Sequence, residues 1–187
     1  MALLMATAPA CLAQGKAKAK PDASAPQAQP AAQGQKAPAG QPTSAAGAFV
    51  QYARSAGVQN CLGRIEQVTG FLTAGTSNVG GFFIIPPAAP NTSLLTLSME
   101  IPQPANQSAY ASASFAPNQA NGSGAVYETV VYWPQNPETV AASVYPNLKR
   151  VGVLAKQITV LDGGPTLRIF LMPAGTGCVA IKKELVR

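Results

Sequence analysis

Three acids stand where a carboxylate can do chemistry. Glu100 in LLTLSMEI and Glu128 in AVYETVVYW fall in segments that read as strands. Two carboxylates at a suitable separation hydrolyse a glycosidic bond. Both lie on the polar face of their strands, where ordinary hydration accounts for them, so neither is assigned as catalytic. Asp162, in Asp162-Gly163-Gly164, is better used as a turn former between two strands. The chain contains no His, which removes the imidazole base of the common serine and cysteine hydrolases. There is no Ser-x-x-Lys nucleophile motif. GTSNVGG lacks the Lys-Ser/Thr ending that would hold phosphate and magnesium. No catalytic residue and no cofactor are expected, and two cysteines far apart without histidine make no metal site.

Cys61 and Cys178 carry a different expectation. In an oxidising compartment two remaining cysteines favour one disulfide. It would close a loop of roughly 120 residues, for which chain entropy gives about 4–5 kcal/mol. The aromatics supply the binding hint. Tyr127 and Trp133 fall on one face of their strand and Tyr132 on the other. One face must be core, so the other presents an aromatic ring able to stack on a sugar or anchor a protein.

These residues need elements to position them. Val58, Cys61, Leu62, Ile65, Val68 and Phe71-Leu72 recur at helical spacing, one apolar stripe along a helix. Residues 45–56 also read as helical, with Gly57 dividing the two pieces and Gly75 as the stop. Beyond Gly75 the period changes to two. GGFFIIPP, LLTLSMEI, SAYASASFA and AVYETVVYW read as strands, followed later by KQITVL, TLRIFLMP and GTGCVAIKKELV. Ala109, Ala111, Ala113 and Phe115 form a small-residue face on which the helix can approach closely. NPETVAASVYP reads as a short helix capped by Asn136, with Pro137 in its first turn and Pro146 at its end. Runs of hairpin-linked strands indicate an α+β domain over 44–187. Its antiparallel sheet should have about six or seven strands, with an N-terminal amphipathic helix and the short second helix packed on it. The alternative is a β-sandwich.

The N-terminal 43 residues have another character. MALLMATAPACLAQG carries a short apolar run and small residues at −3 and −1 for cleavage after Ala13, or after Ala10. No Lys or Arg precedes the run, so the basic start of this signal is expected upstream of Met1. Lipidation of Cys11 is the less favoured alternative, because Ala8 and Pro9 occupy the places of a large aliphatic and a small residue. The run is too short for a transmembrane helix. Residues 14–43, rich in Ala, Pro, Gln and Lys, contain no large apolar side chain and read as a disordered tether.

The net charge of +6 is shared between tether and domain without a concentrated basic stripe, so nucleic acid is not an expected partner. The pairs Lys149-Arg150 and Lys182-Lys183 read as solvated edges. The sequence therefore points to an exported, periplasmic or secreted, non-enzymatic protein whose folded domain binds another protein or an envelope polymer. A glycan-active hydrolase, an enzyme inhibitor and a structural envelope subunit are the alternatives.

Overall fold

The computed structural model describes residues 44–76, 78–117 and 123–187; the expected signal over 1–13, Cys11 and the tether over 14–43 lie outside them. In chain order the described elements are α1 (Ala45–Ser55), α2 (Leu62–Leu72), β1 (Gly80–Ile84), β2 (Leu95–Gln103), β3 (Gln107–Ala116), β4 (Gly124–Trp133), α3 (Pro137–Ser143), β5 (Lys149–Leu154), β6 (Ile158–Asp162), β7 (Leu167–Ala174) and β8 (Gly177–Val186).

The N-terminal helix is two helices. Ser44 caps α1 by accepting the Gly47 N–H at 3.1 Å. Gly57 follows its end with φ +88°, a conformation that suits glycine. The apolar stripe begins at Val58, yet α2 starts only at Leu62. Asn91, from the loop before β2, is the reason. Its side-chain oxygen accepts the N–H groups of Gln59 (2.6 Å) and Asn60 (3.2 Å), and its amide donates to the Gly57 carbonyl (2.9 Å). Those backbone groups are satisfied outside a helix, so residues 57–60 stay in a turn. Val58 still plugs the core, fully buried.

Eight strands form one sheet in the order β1-β2-β3-β4-β8-β7-β6-β5. All neighbours are antiparallel. The fold is sheet-dominated, as the sandwich alternative anticipated, but the strands make a single sheet. The strand beyond the expected number is β5. It is exposed along its whole length, and its register shifts between Arg150 and Gly152. Neither a buried face nor an unbroken period of two marks it in sequence.

The sheet consists of two four-stranded meanders, β1–β4 and β5–β8, joined through their last strands. Alternation along β4 and β8 places Ala125, Tyr127, Val131 and Trp133 on one face together with Cys178, Ala180 and Val186. The helices cover that face. Phe49 of α1 meets Phe83 of β1 edge-on with ring centres 6.1 Å apart. A Cβ on Gly81 would stand 2.4 Å from the Phe49 ring, so the glycine admits the helix. α2 lies over β3 and β4, on the alanine face that the sequence marks out. α3 lies over β7 and β8, capped by Asn136 accepting the Thr139 N–H at 2.9 Å. Two apolar clusters result. One, around Leu97, Phe115 and Ile65, is sealed by α1 and α2; the other, around Val140, Ile169 and Leu171, is sealed by α3.

The expected Cys61–Cys178 bridge does not form. Both thiols are free and buried, and they belong to different clusters. Asn60, beside Cys61, accepts a hydrogen bond from Ser123 at the start of β4 (3.0 Å), whereas Cys178 pairs with Trp133 at its end. A ten-residue strand is about 30 Å long, and a disulfide needs Cα atoms within about 7 Å. Burial holds both thiols above the ordinary cysteine range. A backbone hydrogen bond at Cys61 offsets part of this, and the charge of Glu138 adds to it at Cys178. In the folded protein neither Cys61 nor Cys178 should react with iodoacetamide at neutral pH. Both should react on unfolding without reductant. Peptide masses showing these two thiols released only by reduction would overturn this.

Candidate functional site

The carboxylate pair does not converge. Glu100 and Glu128 lie on the sheet face away from the helices, on β2 and β4 with β3 between them. That offset sets their Cα atoms about 12 Å apart on a flat surface. Each is held by its own serine: Ser108 donates to Glu100 at 2.6 Å, and Ser112 to Glu128 at 3.1 Å. Neither faces a shared cleft of the kind in which a glycosidic bond is attacked. Asp162 accepts the Gly164 N–H at 2.8 Å and pairs with Arg168 at 2.7 Å, holding the β6–β7 turn.

The three aromatics divide as the alternation requires. Tyr127 is buried under α2, and Trp133 is half-buried against the second cluster. The indole N–H of Trp133 is buried without an acceptor among the described residues. Tyr132 points to the opposite face and is 47 % exposed.

On that opposite face, residues in register make transverse rows. One row reads Val130, Ile181, Phe170, Val160 across β4, β8, β7 and β6. The next reads Tyr132, Val179, Met172, with Ile158 and Leu154 continuing it on β6 and β5. On the other side of the first row lies a charged one: Glu128, Lys183, Arg168, Asp162, Lys149. Its charges pair within the sheet, Lys183 with Glu128 at 3.5 Å and Arg168 with Asp162 at 2.7 Å. The same face of β2 and β3 carries mainly small hydroxyls, among them Thr96, Ser98, Ser112 and Ser114.

A solvated face of an antiparallel sheet is normally polar along its length. β2 and much of β3 follow that rule; β1 exposes Phe82 and Ile84, and the β4–β5 end breaks the rule with two apolar rows. None of the described helices covers them. These two rows make the β4–β5 end of the open face the candidate site. Sequence reading found Tyr132 here but missed Ile181, Phe170 and Met172. The signal was present, since IFLM and CVAI are apolar at successive positions and so on both faces at once.

A polar cluster occupies the helix-bearing face between the two apolar clusters. Tyr127 donates its hydroxyl hydrogen to Glu184, and Lys182 pairs with Glu184 at 2.9 Å. The Lys182 ammonium also sits over the Phe71 and Tyr127 rings, 5.1 and 5.2 Å from their centres. A cavity of about 290 Å³ opens beside it, lined by Gln67, Val68, Phe71, Tyr127, Glu184 and Val186. The lysine's charge is already met by the carboxylate and the rings.

Burial pushes the Glu184 carboxyl up, but the hydrogen bonds from Tyr127 and Lys182 and the lysine's charge outweigh it, leaving the group below its ordinary value. Burial, then the hydrogen bond to Glu184 and its charge, hold the Tyr127 hydroxyl well above the phenol range. A carboxyl lowered on folding stabilises the fold above its unfolded value of about 4.3, and this is lost as pH falls through the folded value. A phenol raised on folding stabilises it below about pH 10, and this is lost as pH rises toward the folded value. Denaturant midpoints measured against pH should therefore fall at both ends. Glu184→Gln should flatten the acid limb and Tyr127→Phe the alkaline limb. Limbs unchanged in both variants would refute the linkage.

Fold and surfaces together define an α+β protein whose single sheet is helix-covered on one side and bare, among the described residues, on the other. No family model matches the chain, and it matches no curated protein and no solved structure. The described residues contain no helix long and apolar enough to cross a membrane and no group of three or more metal-ligating side chains.

Proposed function

We propose that this is an exported, non-enzymatic interaction protein that docks a protein partner on the open sheet face. The observation that carries the reading is the pair of apolar rows through Ile181 and Val179, which no described helix covers. Export rests on the apolar run and small-residue cleavage pattern of residues 1–13. A second reading, binding of an envelope polymer, is favoured by exposed Phe82 and Tyr110. They flank a shallow trough with Gly80, Glu100 and Ser108 on the same face. Aromatic rings beside a carboxylate and a hydroxyl suit a sugar chain.

The test is photo-crosslinking in the native host from Met172, with intact mass read on the recovered protein. Docking predicts a protein adduct at Met172 that Ile181→Lys abolishes, on a chain shortened by ten or thirteen residues. Adduct formation that needs Phe82 and Tyr110 but not Ile181 moves the reading to the polymer. A chain that retains its first thirteen residues unmodified overturns export.

A further inference from the structure

We infer that the partner on the open face is a second copy of this chain, packed sheet against sheet about a two-fold axis that runs across the strands between the two apolar rows. This rests on the reading of that face as the docking surface, and it names the occupant.

The first argument is self-complementarity. A two-fold axis across the strands keeps each strand opposite its own copy and exchanges the two rows. Ile181 then faces Val179 of the second copy, and Phe170 faces Met172. The smaller Val130 meets the larger Tyr132. Leu154, 51 % exposed on β5, faces Gly152, where a Cβ would meet nothing within 4 Å. Every contact is apolar, and each occurs twice. Stacked sheets pack about 10 Å apart at a modest crossing angle, so the match is closest near the axis.

Charge selects this axis over the other. A two-fold axis along the strands, between β8 and β7, would also set apolar rows against apolar rows. It would place Lys183 opposite Arg168 and Glu128 opposite Asp162, two like-charge contacts. The axis across the strands carries the charged row to the rim, where Lys183 and Arg168 lie opposite the strand-end residues Gly177 and Ala174 of the second copy and water reaches them. That arrangement has an apolar centre and a charged rim.

Area limits the strength. Five strands from β4 to β5, at about 4.8 Å spacing, and the two apolar rows at about 6.8 Å measure roughly 24 by 14 Å. This covers near 330 Å² per copy and about 650 Å² in the pair, below the roughly 1,200 Å² of standard specific interfaces and in the range of weak, transient ones. The pairing is therefore weak and reversible, and it fills only at high protein concentration. The sheet edges do not compete. β1 has five residues, and β5 carries Lys149, Arg150 and a register shift, features that blunt edge pairing.

The experiment is sedimentation of the full chain from about 10 µM to about 1 mM, the concentrations at which so small an interface fills. The expected result is a monomer that passes to a dimer as concentration rises. Ile181→Lys should weaken the dimer more than about tenfold, because pairing would bury an unpartnered ammonium. Met172→Lys repeats the test should Ile181→Lys not melt like the parent. Mixed Val179→Cys and Ile181→Cys chains should cross-link to each other faster than either alone. A monomer at every concentration overturns the self-pairing, while the Met172 adduct, if it is to another protein, leaves docking standing. A dimer indifferent to both lysine variants also overturns it, and so does cross-linking without preference for the mixed pair.

Discussion

Phe115→Ala should destabilise the folded domain by about 3–5 kcal/mol, the usual range for deleting a fully buried phenylalanine side chain. Phe115 is completely buried in the cluster under α1 and α2, on the strand face otherwise made of alanines. Ala109, Ala111 and Ala113 leave α2 close to the sheet, so little neighbouring bulk can collapse into the space that Phe115 would vacate. Domains of this size have total stabilities of about 5–15 kcal/mol. The loss should show as a large fall in denaturant midpoint at unchanged slope. A loss under about 1.5 kcal/mol would mean that α2 settles into the gap.

Gly177→Ala is the second large effect, and it reaches the open face. A Cβ at Gly177 would stand 2.1 Å from the Trp133 carbonyl oxygen and 2.7 Å from the Tyr132 hydroxyl. Tyr132 can swing aside, but the carbonyl belongs to the backbone of β4, so the end of the β4–β8 pairing must open. Overpacking against backbone costs about 1–3 kcal/mol or somewhat more. Trp133 is the chain's one tryptophan and sits at this junction. Its emission should therefore shift in the folded variant, with stability lower by about 3 kcal/mol. Unchanged emission and stability would show that the strand end is free to move.

Local patterns were legible. Asn136 capping α3, the alanine face under α2 and the Asp162 turn all follow from side chains acting within a few residues of themselves. Alternation along β4 separated Tyr132 from Tyr127 and Trp133, because successive side chains on a strand cannot share a face. The carboxylates Glu100 and Glu128 were legible as polar-face residues but not as neighbours or strangers. Their separation depends on β3 lying between β2 and β4.

By itself the sequence determined where period 3.6 gives way to period two, which residues cap and turn, and that no histidine-based chemistry is available. Tertiary structure decided the rest. Asn91, about thirty residues away in sequence, holds residues 57–60 out of a helix that their apolar spacing favours. The pairing of β4 with β8 sets Cys178 at the Trp133 end of β4, while the Asn60–Ser123 contact holds Cys61 beside the other end, and both thiols stay free. The β4–β5 end of the sheet carries apolar residues on both faces, and only the placement of the described helices on one of them leaves the other open. Short-range pattern fixes what each segment is; which surface remains uncovered depends on contacts between segments far apart in the chain, and no window of sequence contains them.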